Sequence, residues 1–109
     1  MSVIVDIADL GSALADRPWG YLLTVGPDLR VHVLAVDTVF VDGAFRLATG
    51  RGSRVNAVER PEVTLVFAPV EPGGMSLIVD GAAELADDHV LVRPSKAVLH
   101  RAAPGVAAG

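Results

Sequence analysis

The stretch Phe45–Phe67, with the sequence FRLATGRGSRVNAVERPEVTLVF, decides how the rest of the chain is interpreted. It opens with a strand-like run over residues 45–49, which ends in the glycine-punctuated turn 50–52. A short helix is predicted over residues 54–60, with Ser53 as its N-cap, because a serine hydroxyl can accept a hydrogen bond from a free amide of the first turn. A proline and then a β-branched run follow, so the local order is strand, turn, helix, strand.

This stretch also concentrates positive charge in an acidic chain. It holds four of the nine Lys and Arg residues, although the formal net charge is −4. Gly50 and Gly52 let the backbone approach a ligand closely, and helix N-terminal amides with guanidinium groups favour phosphate. The turn is neither a dinucleotide fingerprint nor a P-loop, because it lacks the third glycine and a Gly-Lys-Ser/Thr. The residues predict either an anion site or a serine-capped helix with solvated arginines, and the arginines concerned are Arg46, Arg51, Arg54 and Arg60.

Length and composition limit the class of protein. A chain of 109 residues is expected to form one domain with a modest core, which oligomerisation would help to stabilise. The 18 valines favour strands, and the absence of cysteine excludes disulfides and thiolate metal sites. A pI near 5.1 argues against nucleic acid as the main partner. No apolar run is long enough to span a bilayer and the first residues lack a basic signal-peptide region, so a cytoplasmic protein without a membrane partner is expected.

The rest of the chain consists mostly of strand-like runs with short connections. Apolar residues recur at helical spacing over residues 6–15, which predicts one short helix there. Asp42-Gly43 between two apolar runs is a strong hairpin signal. About six antiparallel strands usually close into a barrel, because closure removes exposed edges. The predicted strands cover residues 19–25, 30–41 with a bend at 37–38, 44–49, 63–70, 75–86 with a bulge at Gly81, and 89–92 and 97–101 on either side of Pro94.

Three blocks of the sequence resemble, in order, the pyridoxamine 5′-phosphate oxidase-like family of flavin-binding split β-barrels. Residues 20–33, GYLLTVGPDLRVHV, are similar to the opening hairpin of that family. The stretch 45–67 resembles the next block, which is a strand, a phosphate turn, a short helix with an Asn, a Pro and a Val-rich strand. Residues 79–85, VDGAAEL, are similar to the strand before an acidic turn, here Asp87-Asp88. The matching positions of the second block are Thr49, Ser53, Asn56, Pro61 and Val63.

The resemblance covers roughly residues 19–101 and implies a mainly β fold, a six-stranded antiparallel split β-barrel with one or two short helices. One domain over residues 1–109 is expected, with a frayed tail at 102–109. The resemblance also implies a homodimer that binds FMN across its interface, whereas some relatives use the deazaflavin F420 or haem. The motif and the arginine cluster together give the candidate cofactor-binding residues Arg46, Thr49, Gly50, Arg51, Ser53, Arg54 and Asn56.

Two departures from the family pattern shape the expected site. Val55 occupies the position where relatives carry a basic residue, so the cations must come from Arg51 and Arg54. The helix that relatives carry between the acidic turn and the last strand is absent, so one face of the cofactor ring should be more open. A bound flavin would carry the hydride chemistry, and no side chain is therefore expected to be an obligatory acid or base.

The function expected from the resemblance is that of an FMN- or F420-dependent oxidoreductase acting on an unidentified small substrate. One alternative keeps the barrel as a non-catalytic binding module with weak or no cofactor affinity. Another is haem binding, with His100 or His32 as the iron ligand. The spacing of these two histidines and His89 matches no metal-ligand pattern, so no metal site is predicted.

Overall fold

The computed structural model describes residues 1–106. Buried and exposed side chains alternate along its strands, and the strands form one curled antiparallel sheet. Within these residues the sheet has eight strands, accompanied by two short helices. The helix α1 continues a single 3₁₀ turn, Ile7–Asp9. The elements are β1 Ser2–Val5, α1 Leu10–Leu14, β2 Trp19–Val25, β3 Val31–Asp37, β4 Val39–Val41, β5 Ala44–Leu47, α2 Arg51–Glu59, β6 Glu62–Phe67, β7 Ser76–Ala86 and β8 His89–His100.

The strand order explains why the barrel is split. The sheet runs β3-β2-β6-β7-β8-β5-β4, and β1 pairs separately with β8. The two outermost strands of this order, β3 and β4, are consecutive in the chain and are separated only by Thr38. The sheet must therefore curl until its two edges lie side by side. The amide of Thr38 donates to the carbonyl of Pro18, at 3.1 Å, and holds this junction against the start of β2. The mainly β, antiparallel split-barrel prediction is confirmed.

The barrel core is filled by apolar side chains from almost every strand. Phe45 on β5 and Phe67 on β6 are fully buried, and their ring centroids lie 6.0 Å apart in a stacked arrangement. Leu10 of α1 is also fully buried and closes the core from the N-terminal side. Burial of such side chains contributes roughly 1.5–3 kcal/mol each, which is the main force that keeps the sheet curled.

Two turns have the geometry that their residues predicted. Asp42 and Gly43 have φ values of 53° and 75°, as the two central residues of a type I′ hairpin require. Asp87 has a φ of 54°, and with Asp88 it connects β7 directly to β8. The direct connection agrees with the expectation that no helix separates the acidic turn from the last strand.

The number and bounds of the strands differ from the prediction. Residues 2–5, for which no strand is predicted, form β1 because they pair in antiparallel register with residues 97–100. The predicted strands 89–92 and 97–101 are one continuous strand, β8. Pro94 is tolerated because it lies between the part of β8 that pairs with β5 and the part that pairs with β1, so no strand needs its amide on that side. The predicted bend at 37–38 separates β3 from β4.

The remaining elements follow the prediction closely. The helix predicted over residues 6–15 corresponds to the 3₁₀ turn and α1. The bulge predicted at Gly81 is confirmed by a register shift between Asp80 and Gly81 in the β7–β8 pairing. Residues 102–106 are exposed and carry no regular structure, while the rest of the predicted tail, 107–109, lies outside the described residues. Within the described chain, no helix is long and apolar enough to cross a membrane.

Candidate functional site

The loop before α2 has a different geometry from the one that the sequence predicted. The helix begins at Arg51, with Gly50 in extended conformation as its N-cap, so the prediction that Ser53 caps the helix is wrong. The amide of Arg54 donates to the carbonyl of Gly50 at 3.1 Å, which places residues 51–53 inside the first helical turn. Gly52 can adopt helical angles like any residue, and the two glycines therefore do not form a separate turn.

The N-terminus of α2 has no side-chain cap. Gly50 offers no side-chain acceptor to the first-turn amides, and the free N–H groups of Arg51, Gly52 and Ser53 point out of the helix end. Such amides, together with the positive end of the helix dipole, bind anions. A ligand anion at this end would therefore satisfy donors that the described part of the chain leaves without a side-chain acceptor.

A buried hydroxyl lies directly before this helix end. The Oγ1 atom of Thr49 is buried, yet it has no hydrogen-bond partner within residues 1–106. A buried polar group without a partner costs about 1–3 kcal/mol, so natural structures seldom leave one without a reason. The Thr49 hydroxyl and the uncapped amides are adjacent in the chain, and both are donors that lack a hydrogen-bond acceptor among the described residues. A phosphate oxygen could accept from the hydroxyl and from the amides, so these groups fit a phosphate.

Two of the four predicted arginines lie at this end of α2. Arg51 is exposed and forms no hydrogen bond or ion pair with the described residues, so its guanidinium is available to a ligand. Arg54 is half-buried, and its Nη1 donates to the carbonyl of Thr49 at 3.2 Å. This contact holds a positive charge beside the loop, and the other guanidinium donors of Arg54 have no hydrogen-bond partner within the described part of the chain. The structure therefore brings together Thr49, Gly50, Arg51, Ser53 and Arg54.

The other two arginines lie elsewhere. Arg46 is exposed on β5, between the buried Phe45 and Leu47, so its side chain lies on the outer face of the sheet. Arg60 follows the C-terminal end of α2, where its Nη1 contacts the Oε2 of Glu59 at 3.3 Å. Arg60 also approaches the carbonyl of Val25 at 3.5 Å.

Asn56, the remaining predicted site residue, is turned towards the barrel. Its side chain is buried, and its Nδ2 donates to the hydroxyl of Thr24 on β2 at 3.2 Å. The structure thus places Asn56 on the opposite side of the helix from Arg51, in contact with the sheet. No pattern in the sequence predicts its partner Thr24, which lies in the otherwise largely apolar strand β2.

An open groove runs along the outer side of α2. Val55 and Val58 are about half exposed, and they face Leu85 near the end of β7. The spacing of the two valines, three residues apart on one helix face, was the only sequence signal for this surface. The groove has a volume of about 350 Å³ and carries positive charge at the end nearest the α2 N-terminus; its lining residues are Arg51, Arg54, Val55, Val58, Glu59 and Leu85.

A second exposed apolar surface lies on the outer face of β2 and β3. Register pairs Tyr21 with Ala35 and Leu23 with Val33, so these side chains form one patch. Tyr21 is 38% exposed and Val33 is 60% exposed. Trp19 joins the patch, with its ring edge-to-face against Tyr21 at a centroid distance of 5.3 Å. We call this surface, made of Trp19, Tyr21, Leu23, Val25, Val31, Val33 and Ala35, the β2–β3 face.

The three histidines are distant in sequence from the loop that precedes α2, and also from one another. His32 packs over Gly26 in the β2–β3 hairpin, and His100 contacts the hydroxyl of Ser2 at 3.1 Å. His89 lies beside Asp88 at 3.5 Å. Across the described residues, no group of three or more His, Cys, Asp or Glu side chains is arranged to hold a metal ion.

Sequence comparison places the chain among mycobacterial relatives. It is 41% identical over 118 aligned positions to the uncharacterized protein Mb0449c of Mycobacterium bovis, covering 92% of this chain and 83% of that protein. An uncharacterized protein of Mycobacterium tuberculosis matches with the same identity and coverage. The chain belongs to the family of these two proteins. No protein-family model matches the sequence.

Solved structures with the same fold identify the architecture. An F420 reductase superposes with a TM-score of 0.64 at 24% identity, covering 79% of this chain and 94% of the other. A Corynebacterium glutamicum protein provisionally assigned as a pyridoxamine 5′-phosphate oxidase gives a TM-score of 0.70 at 15% identity, covering 94% and 100%. A FAD binding protein from Mycobacterium smegmatis gives 0.66 at 19% identity, covering 93% and 100%. The chain therefore shares the fold of these proteins, in agreement with the split β-barrel that the resemblance predicted.

Proposed function

We propose that this protein binds a flavin-type cofactor, FMN or F420, and acts as an oxidoreductase on a small substrate. The observation that carries the proposal is the buried Thr49 hydroxyl, which has no hydrogen-bond partner among residues 1–106 and lies directly before the uncapped N-terminus of α2. Arg51 and Arg54 supply the positive charge that a phosphate at this position needs, in a chain whose net charge is −4. Similarity of fold to an F420 reductase and to a FAD binding protein supports the flavin-type class of cofactor.

The residues of the loop would bind and orient the cofactor through its phosphate. The hydroxyls of Thr49 and Ser53 and the first-turn amides of α2 can donate to phosphate oxygens, while Arg51 and Arg54 neutralise their charge. The bound cofactor would supply the hydride chemistry, so the task of this chain is to bind and orient the cofactor. FMN is the more specific part of the proposal, since its terminal phosphate could meet all of these donors at once.

The first prediction that follows concerns assembly, because we propose that the protein acts as a homodimer. The β2–β3 face exposes an apolar patch, and large patches of this kind on soluble proteins mark interaction sites. A two-fold axis through the face would bury the same valines and aromatic rings on both copies. Light scattering at micromolar concentration is expected to give the mass of a dimer.

A charged substitution on the β2–β3 face distinguishes a specific interface from non-specific association. Val33→Glu is expected to give a monomer, whereas Val39→Glu, at a comparably exposed valine on β4, is expected to leave the dimer intact. A monomeric wild-type protein, or a dimer that survives Val33→Glu, would remove the β2–β3 face from the proposal.

The second prediction is a weak cofactor affinity. The acidic turn Asp87-Asp88 leads directly into β8, so the helix that members of the resembled family carry between these strands is absent from the described chain. Each Å² of apolar cofactor surface that stays in water lowers the favourable free energy of binding by about 25 cal/mol. We therefore expect FMN to bind in the micromolar range. Titration of the apo-protein with FMN and with F420 measures this, and reduction followed by an added electron acceptor then tests turnover.

The titration also distinguishes the enzyme from its rival. A non-catalytic binding module is favoured by the same direct connection between β7 and β8, since an open site holds a cofactor poorly. Micromolar binding with turnover supports the oxidoreductase, and micromolar binding without turnover supports the module. Nanomolar affinity would contradict the expectation that an open site binds the cofactor weakly. If neither cofactor binds at hundreds of micromolar, the proposed function itself is contradicted.

A further inference from the structure

Two buried polar side chains meet between α2 and the barrel. Among the described residues, Thr24 and Asn56 are the only buried polar residues, with 0% and 6% of their surfaces exposed. They are hydrogen-bonded to one another, because the Nδ2 of Asn56 donates to the Oγ1 of Thr24 at 3.2 Å. A polar pair in an apolar interior is stable only when both partners are present, so it fixes how the two elements that carry it are placed.

The apolar contacts of α2 are too few to fix its position by themselves. Asn56 and Ala57 are the buried residues of the helix, and the alanine side chain is a single methyl group. The larger apolar side chains of the helix, Val55 and Val58, lie on its exposed side. The orientation of α2 therefore depends on polar contacts to a greater degree than that of a typical amphipathic helix, which buries an apolar stripe.

Those polar contacts converge on two consecutive residues of one strand. Asn56 contacts Thr24, and the Nη1 of Arg60 approaches the carbonyl of Val25 at 3.5 Å. Thr24 itself is held in register between the neighbouring strands, where Leu23 pairs with both Val33 and Thr64. The end of β2, which is hydrogen-bonded to β3 on one side and to β6 on the other, thus provides the point of attachment for α2, and Asn56 lies only two residues after Arg54.

We infer that the Thr24–Asn56 hydrogen bond positions the anion-binding end of α2, which makes Asn56 and Thr24 positioning residues. In this role Asn56 does not touch the cofactor. It holds the helix so that the first-turn amides, Arg51 and Arg54 face the same ligand. The inference rests on the proposed function for its effect on cofactor binding, but its effect on the helix is independent of any ligand.

Two substitutions at Thr24 separate positioning from general stability. Thr24→Val keeps the shape and volume of the side chain but removes the hydroxyl, so Asn56 loses its acceptor. Thr24→Ser keeps the hydroxyl but removes a buried methyl group, which costs packing without breaking the hydrogen bond. If Thr24→Val does not fold, Thr24→Val with Asn56→Leu replaces both partners by apolar groups and serves in its place.

The first measurement is hydrogen exchange of the backbone amides in the cofactor-free protein. In Thr24→Val, the amides of residues 54–60 are expected to exchange about tenfold faster than in wild type, while those of β6, β7 and β8 are unchanged. In Thr24→Ser, exchange in α2 is expected to match wild type. Equal exchange in α2 for the two variants would overturn the inference.

The second measurement is titration of the same proteins with FMN. Thr24→Val is expected to bind FMN about tenfold more weakly than wild type, and Thr24→Ser within about twofold of wild type. If wild type binds FMN and both variants bind it equally well, the inference is overturned while the proposed function stands. If wild type binds neither FMN nor F420, the proposed function fails, and hydrogen exchange alone decides whether Thr24 and Asn56 position the helix.

Discussion

Replacing both Arg51 and Arg54 by glutamate is expected to weaken FMN binding by at least about a hundredfold. Each charge-assisted hydrogen bond to phosphate contributes roughly 1.5–3 kcal/mol, and every 1.4 kcal/mol changes affinity about tenfold. Glutamate also adds repulsion at the position where the phosphate is proposed to bind. Fluorescence or calorimetric titration of the purified variant against wild type measures the change.

A matched control carries the same change in net charge at other exposed arginines. Arg30 lies in the β2–β3 hairpin and Arg101 follows β8, and both are exposed. Replacing this pair by glutamate is expected to change FMN affinity by less than about threefold, because both residues are exposed, neither belongs to the loop before α2, and salt weakens interactions between solvent-exposed charges. If the Arg51 and Arg54 variant binds FMN like this control, the phosphate site lies elsewhere in the protein.

Gly81→Ala is expected to destabilise the fold more than a single added methyl group usually does. Gly81 is buried at the β-bulge, where it is the register partner of Pro94 on β8. A Cβ atom at Gly81 would lie 2.6 Å from the carbonyl oxygen of Arg93 and 2.8 Å from the Cγ1 of Val92. The backbone carbonyl cannot move away as a flexible side chain could, so the cost should reach about 2–3 kcal/mol. Thermal unfolding should show a melting temperature lower by at least about 10 °C.

The control for this prediction is Gly11→Ala in α1. No described atom outside the local chain lies within 4 Å of a Cβ built on Gly11. Alanine is also favoured over glycine in a helix by about 1 kcal/mol, so this variant should match or exceed the stability of wild type. A melting temperature of Gly81→Ala within 2 °C of wild type, on the order of the change expected for a neutral surface substitution, would show that the sheet can open at the bulge.

Much of the fold could be predicted from the sequence because its signals were local. The Asp42-Gly43 turn requires positive φ at two consecutive residues, and few sequences other than Asn-Gly and Asp-Gly supply it. The bulge at Gly81 could be anticipated for a similar reason, since a glycine inside a strand marks a close backbone approach. Where a strand depended on a distant partner, local signals failed. β1 exists because residues 97–100 provide its hydrogen bonds, and the continuity of β8 through Pro94 depends on where its neighbours end.

The candidate site was predictable in its composition but not in its arrangement. The arginines and the Thr-Gly pair marked the loop, but the start of α2 depends on the backbone of Gly50 and not on the hydroxyl of Ser53. The direction of Asn56 could not be predicted either, because its partner Thr24 is 32 residues away in sequence. Arg46 illustrates the same limit, since alternation along β5 places it on the outer face away from the core.

The measurement that tests the central claim most directly compares FMN with riboflavin in titrations of the wild-type protein. The two ligands share the flavin ring and the ribityl chain, and they differ only in the phosphate that the loop from Thr49 to Arg54 is proposed to hold. We predict that FMN binds at least about tenfold more tightly than riboflavin, and that this preference is lost in the Arg51→Glu and Arg54→Glu double variant. Equal affinity of wild type for FMN and riboflavin would contradict a phosphate site at the N-terminus of α2.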